Sequence, residues 1–360
     1  MVEFFCGTKI IWGTGAVEHL REMHPKRLFL VTDPFFAKNG TAQRIAESTR
    51  AGETEIFQEV APDPSVELAA KGTARLKDFA PDLVVALGGG SAMDCAKAMV
   101  YFSGMDVPLA AIPTTSGSGS EVTDFAILTH NGVKHPLVDK RLTPNVAILD
   151  DDLLQEMPPS LIADAGFDIL AHALEAYVGK NAGSFTDALA SDAFSQAFAA
   201  LPASFAGKKE VRLQIHVAAT MAGVAFCQAG LGLCHAMSHV LGGRYHVPHG
   251  RLNAILLPAV ISCNQHAAGR KYAALARKAG IGGSAETVAV RNLCNALVHI
   301  RKQLRLPETL AQAGISPQEI WYSMDSIVKD VLLDACCETN PMKVEDFMVR
   351  KVLEEVTGRV

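Results

Sequence analysis

Asp168 and His172 stand four residues apart in AGFDILAHALEAY (165–177), and His235 and His239 repeat that spacing in LCHAMSHVLG (233–242). Residues so spaced project from one face of a helix. Four of the twelve histidines fall between His235 and His249, and His249 itself follows in Val247-Pro248-His249-Gly250, a sequence that reads as a turn. A single helical histidine is usually a core or surface residue. One aspartate and three imidazoles on a helical scaffold are a ligand set for a divalent first-row metal. Asp168, His172, His235 and His249 are therefore the candidate metal ligands. One carboxylate against a divalent ion leaves a net positive site, able to stabilise an alkoxide.

A second group of residues suits phosphate. Gly88-Gly89-Gly90-Ser91 lies between an apolar run and a helical one. Glycines let backbone N–H groups approach a pyrophosphate closely, and a helix N-terminus adds positive potential. This is not the G-x-G-x-x-G pattern, and GGGS alone is also what a plain turn looks like. A second loop, Pro113-Thr114-Thr115-Ser116-Gly117-Ser118-Gly119-Ser120-Glu121, again follows a short apolar run. Two such loops at the carboxyl ends of parallel strands make a nucleotide crevice. Asp33 also follows an apolar run. Its carboxylate can accept from both ribose hydroxyls and repel a 2′-phosphate, which favours NAD over NADP; a helix cap or turn is the alternative.

The elements that must carry these residues alternate in the first half. Arg27–Thr32, Asp82–Leu87, Leu109–Ile112 and Ala147–Leu149 read as strands. Helical sequence follows Asp33-Pro34 through Thr49, and Ser91–Ser103 is a helix with Ser91 as N-cap. Such alternation implies a parallel sheet with helices on both faces. Past Met157-Pro158-Pro159-Ser160 the chain reads as helix after helix: Ala163–Val178, Phe185–Leu201, Val211–Gln228 and Cys234–Gly242. The expected division is an α/β domain over 1–158 and a helical domain over 159–360, with no internal repeat.

Composition is that of an ordinary globular chain: 360 residues, half apolar, a fifth charged, net charge −5 without long runs of one sign. That argues against nucleic-acid and membrane-surface partners. The start, MVEFFCGTKIIWGTG, lacks a basic n-region and reads as a β-hairpin rather than a signal peptide. The eight cysteines are scattered with no C-x-x-C pair, as expected of reduced thiols in a cytoplasmic protein.

At GGGSAMDCAK (88–97), IPTTSGSGSEVT (112–123), AGFDILAHALEAY (165–177) and HAMSHVLGGRYHVPHGRLNAILLP (235–258), the sequence resembles the iron-containing (group III) alcohol dehydrogenases over nearly its whole length. Pro62-Asp63-Pro64, QAGLGLCHAMSHVLGG and Thr339-Asn340-Pro341 look most like the 1-propanol dehydrogenases of bacterial microcompartments. The resemblance implies an α/β dinucleotide-binding domain joined to an all-α metal domain, the dehydroquinate synthase-like fold. It implies Fe²⁺ (or Zn²⁺) on Asp168, His172, His235 and His249. It places NAD(H) on Asp33, Gly89, Gly90, Ser91, Thr114, Thr115 and Ser118, with Lys134 near a further cofactor lysine. Ser118 stands where many members carry Thr, and Asp63 where Asn is common.

What the resemblance further implies is interconversion of short aldehydes, such as propanal or acetaldehyde, with primary alcohols. The metal acts as Lewis acid and nicotinamide as hydride carrier. His239, a non-ligand histidine, is the first candidate proton relay and His246 the second. A homo-oligomer is expected, and inside a microcompartment a shell protein or an aldehyde dehydrogenase would be the partner. Two rivals stand beside this reading. A polyol dehydrogenase of the 1,3-propanediol or glycerol type shares the fold, but the zinc-dependent members usually place a Glu among the ligands. A non-catalytic scaffold would not need four ligands and two glycine loops.

Overall fold

Arg27–Thr32 is buried from Leu28 onward, and Leu83–Gly88 is buried along its whole length. Strands covered on both faces need apolar residues at nearly every position, and parallel neighbours need crossover connections. The computed structural model, which describes residues 4–358 with the Val133 side chain apart, shows such a sheet.

The chain divides into two units. The first, Phe5–Met157, runs β1 (Lys9–Trp12), β2 (Arg27–Thr32), α1 (Pro34–Lys38), α2 (Thr41–Ser48), β3 (Glu53–Phe57), α3 (Val66–Phe79), β4 (Leu83–Gly88), α4 (Gly90–Ser103), β5 (Leu109–Pro113), β6 (Phe125–His130), β7 (Val133–Val138) and β8 (Val146–Leu149). Six strands form one parallel sheet in the order β1-β8-β5-β4-β2-β3. β6 and β7 make a separate antiparallel hairpin. Successive side chains of a strand point to opposite faces. Phe29, Val31, Val84 and Ala86 accordingly join one core cluster, and Leu28, Leu30, Val85 and Leu87 the other.

Three expectations change here. Residues 9–12 are not half of a hairpin. β1 is an edge strand running parallel to β8, with Ile10 beside Ala147. The helical run after Asp33 is two helices, broken at Asn39-Gly40. The N-cap of α4 is Gly89, not Ser91, which lies inside the first turn.

The second unit, Pro158–Val360, is helical: α5 (Pro159–Val178), α6 (Ser184–Phe205), α7 (Arg212–Ala229), α8 (Leu233–Tyr245), α9 (His249–Lys278), α10 (Glu286–Gln303), α11 (Pro317–Leu333), α12 (Cys336–Thr339) and α13 (Asp346–Val356). Phe4 packs with this unit by stacking on Phe185. α5 is buried on most sides, Ile162, Phe167, Leu170, Leu174 and Val178 among its covered residues. His249 does not sit in a turn: Pro248 is the N-cap, and His249 is the first residue of α9. Among the described residues no single helix is long and apolar enough to cross a membrane.

Candidate metal centre and cofactor loops

Three helices meet at one carboxylate. Asp168 and His172 come from α5, His235 from α8 and His249 from α9. The Nε2 atoms of His172, His235 and His249 lie 3.9, 3.8 and 3.6 Å from the same atom, Asp168 Oδ1. Those distances are too long for hydrogen bonds. They are close to the separation of about 3.4 Å between donors that share a tetrahedral ion at about 2.1 Å. The rings of His172 and His235 stack at 4.5 Å, and His235 and His249 lie 5.2 Å apart. Asp168, His172 and His235 bring donor atoms within 4.8 Å of one another and can hold a divalent cation, and His249 offers a further nitrogen 3.6 Å from the shared carboxylate oxygen.

The surroundings fix each donor. α8 begins at Leu233 without a side-chain cap from its own N-cap, Gly232. The unpaired N–H groups of such a helix start need acceptors. Glu175, on α5, supplies them: its carboxylate accepts from the N–H of Gly232, Cys234 and His235 at 2.9, 2.7 and 3.3 Å. The same carboxylate lies 2.6 Å from His235 Nδ1, which turns Nε2 towards Asp168. Histidine ligands are commonly oriented by a carboxylate in this way. Asn253, one turn into α9, donates to Asp168 Oδ1 at 2.8 Å and accepts from Ser238 Oγ at 2.5 Å. Arg251 grips Asp164 through two bonds of 3.1 and 2.8 Å, tying the start of α9 to α5.

The electrostatics fit a cation. Burial opposes a charged Asp168, but the three histidines outweigh it and hold the carboxyl below its usual range. Burial likewise opposes a charged His235, yet the nearby Asp168 and Glu175 carboxylates raise it to about 9. His249 is pushed down by its own burial and by the neighbouring imidazoles. The cluster thus demands positive charge between two carboxylates, which a proton on His235 or a divalent ion can supply.

His239 lies beside this group without joining it. Its ring stacks on His249 at 5.2 Å, and its Nδ1 is 2.9 Å from Asp334 Oδ2. His246 is the exposed C-cap of α8, with a left-handed φ of 56°.

In the first unit the two small-residue loops face each other. Gly88 has φ +148°, and a Cβ there would meet Ala92 Cβ at 2.7 Å, so the turn from β4 into α4 requires glycine. Side chains on Gly89 and Gly90 would crowd Thr115 Oγ1 at 3.3 Å and Ser118 Oγ at 3.2 Å. Thr114 N–H donates to the Gly88 carbonyl at 2.9 Å. At the start of α4, which has no side-chain cap, the Ala92 and Met93 N–H groups bond the Gly89 carbonyl, and those of Gly90 and Ser91 point out of the helix start, where an anion could take them. Asp33 Oδ1 accepts from the N–H of Phe35 and Phe36, so this residue is a helix cap. Oδ2 lies on the side of Gly88, 3.6 Å from where a Cβ would stand. Lys134, on the hairpin, pairs with Asp63 at 2.6 Å.

Comparison with known proteins places the chain in a family. The family model for the iron-containing alcohol dehydrogenase matches residues 7–151, and that for the C-terminal part of the Fe-containing alcohol dehydrogenase family matches residues 162–357. This chain belongs to the iron-containing alcohol dehydrogenase family. It is an alcohol dehydrogenase, an oxidoreductase whose family uses a metal ion and a nicotinamide dinucleotide. The 1-propanol dehydrogenase PduQ of Citrobacter freundii is 36% identical over 370 residues, covering 99% of this chain and 100% of that protein. The NADPH-dependent butanol dehydrogenase of Clostridium saccharobutylicum is 36% identical over 378 residues, covering 98% and 97%. The iron-containing alcohol dehydrogenase structure from Thermococcus thioreducens superposes with a TM-score of 0.92 at 31% identity, covering 98% of this chain and 99% of that one.

Several residues of this alcohol dehydrogenase escape a search for histidine pairs. Glu175 is one: it falls three residues after His172 on the same face of α5, the face that also carries Asp164 and Asp168. Asn253 stands four residues after His249, and that spacing becomes legible only once His249 is placed in a helix. Asp334 lies far along the chain, and nothing in its local sequence points to His239.

Proposed function

We propose that this enzyme interconverts short primary alcohols and aldehydes with NAD(H), and that Asp168, His172, His235 and His249 hold Fe²⁺ for the reaction. The observation that carries the metal assignment is the convergence of three Nε2 atoms on Asp168 Oδ1. When bound, the metal ion supplies a Lewis acid for the substrate oxygen, and the nicotinamide supplies or takes the hydride. The chain's residues do the rest. Glu175 and Asn253 hold the donors in place. Gly89, Gly90, Ser91, Thr114, Thr115 and Ser118 would cradle the dinucleotide phosphates, and Asp33 Oδ2 would meet the adenosine ribose. His239 would exchange the proton of the reacting oxygen, at the nitrogen that does not face Asp334.

Two full-length relatives of equal identity act on short primary alcohols by name, which supports the substrate class; one is named as NADPH-dependent, so the choice of NAD rests on Asp33. In the role we favour, a homo-oligomer in the cytoplasm or a bacterial microcompartment reduces part of an aldehyde pool. It thereby regenerates NAD for a partner aldehyde dehydrogenase. The test is an aldehyde and alcohol panel with NADH and NADPH, run without oxygen on enzyme loaded with Fe²⁺ or Zn²⁺. The expected result is a higher kcat/KM for propanal with NADH than for 1-propanol with NAD at pH 7. The reverse order would overturn the recycling role, and preference for glycerol or 1,3-propanediol would overturn the substrate class.

A further inference from the structure

After α11 the chain turns back along α8, and residues 334–340 are bonded to that helix at two levels. Thr339 Oγ1 donates to the Leu231 carbonyl at 2.6 Å, just before the helix. Asn340, fully buried, accepts from Leu233 N–H at 3.2 Å and is held in turn by Asn264 through two bonds of 2.9 Å. One and a half turns further along α8, Asp334 Oδ2 faces His239 Nδ1 at 2.9 Å. The other Asp334 oxygen is already committed, accepting from Cys336 N–H at 2.9 Å. The carboxylate is therefore fixed at both ends. Burial favours its neutral form, but the hydrogen bonds from His239 and from the Cys336 N–H prevail and hold it down at about 2.

An ionised carboxylate has only acceptor capacity, so the His239 nitrogen that faces it must carry the hydrogen. The ring is also clamped on its flat side by His249. We propose that Asp334 is a positioning residue for the reaction: it keeps the His239 proton on Nδ1 and leaves Nε2 as the nitrogen that exchanges a proton with the reacting oxygen. This rests on the reading of His239 as the proton-handling group. In alcohol oxidation the hydroxyl O–H bond breaks and an Nε2–H bond forms. The positive charge of the resulting imidazolium is balanced by the Asp334 carboxylate, and the proton then leaves to water. Reduction runs the same transfers backwards. A carboxylate that fixes the tautomer of a proton-transferring imidazole plays the same part in hydrolytic triads, where its amide replacement costs rate with little change of geometry.

The experiment uses the zinc-loaded enzyme, which is diamagnetic, with His239→Ala, Asp334→Asn, Asp334→Glu and the double variant. Nitrogen-15 spectra of labelled histidine should show His239 protonated at Nδ1 in the parent and shifted towards Nε2–H in Asp334→Asn. Asp334→Asn should lower kcat about 10–100-fold while metal content and the KM for NADH stay within about twofold. Asp334→Glu should recover part of the rate. The double variant should be no slower than His239→Ala alone, because the two residues act as one unit. An Nε2–H tautomer in the parent, or rate losses that multiply in the double variant, would overturn the role of Asp334. Full kcat in His239→Ala would instead overturn the reading of His239 beneath it, and the spectrum separates the two failures.

Discussion

Gly250 lies directly on the main chain of Asp164: a Cβ at Gly250 would stand 1.8 Å from the Asp164 carbonyl oxygen. That contact brings the first turn of α9 against α5, four residues before Asp168 on one side and one residue after His249 on the other. Gly250→Ala must push the two helices apart. Overpacking of this kind costs about 1–3 kcal/mol, and the displacement should move His249 off Asp168. Thermal unfolding and metal analysis of the purified variant should show lower Tm and reduced metal content. Unchanged values of both would mean that the contact does not hold the site.

The histidines on α8 should separate by metal content. His235 is completely buried and faces Asp168, whereas His239 is turned to Asp334. His235→Ala should stay folded and lose metal and activity together. His239→Ala should keep its metal and lose rate, about 100-fold or more for a proton-transfer group. Equal metal content in the two proteins would show that the histidines are wrongly assigned.

The contrast between these helices shows what sequence could convey. β2, β4 and β5 were legible because buried parallel strands are apolar at nearly every position. β3 (ETEIF) was not, because an edge strand that opens on exposed Glu53 and Thr54 carries no such run. β1 looked like a hairpin because its partner β8 lies at the far end of the unit, and local pattern says nothing about that pairing. Asp168, His172 and His235 stood out through i, i+4 spacing, whereas His249 did not. Glu175 and Asn253 did not, since a helical glutamate or asparagine is normally solvated, and only packing reveals that these two are buried. Asp33 is a cap through Oδ1, the alternative its sequence also allowed, and its Oδ2 lies near the glycine loop.

Glu175 supplies acceptors to three backbone N–H groups and one imidazole, so its replacement tests the second sphere of the metal centre. Glu175→Gln keeps the size but turns an NH₂ group towards donors. An unsatisfied buried polar group costs about 1–3 kcal/mol, and loss of such a partner weakens metal binding about 10–100-fold. Competition against a chelator with a metal indicator should show that weakening with the fold retained. Parent-like affinity would mean that His235 is oriented by packing alone.

Asp33 decides the cofactor if its second oxygen meets the ribose. The structure separates that role from capping. Oδ1 is spent on the N–H groups of Phe35 and Phe36, and serine can cap a helix almost as well as aspartate. Asp33→Ser should therefore leave stability nearly unchanged while removing the negative charge that repels a 2′-phosphate. The expected result is a rise in kcat/KM for NADPH of about tenfold or more, equivalent to about 1.4 kcal/mol in the transition state, with a fall for NADH. Asp33→Gly should give the same direction with a cap weaker by only a few tenths of a kcal/mol. Measuring both cofactors on both variants separates charge from helix stability, since the two substitutions share the first and differ in the second. An unchanged NADPH to NADH ratio in both would show that Asp33 is a cap and nothing more, and would leave this enzyme's cofactor preference to other residues.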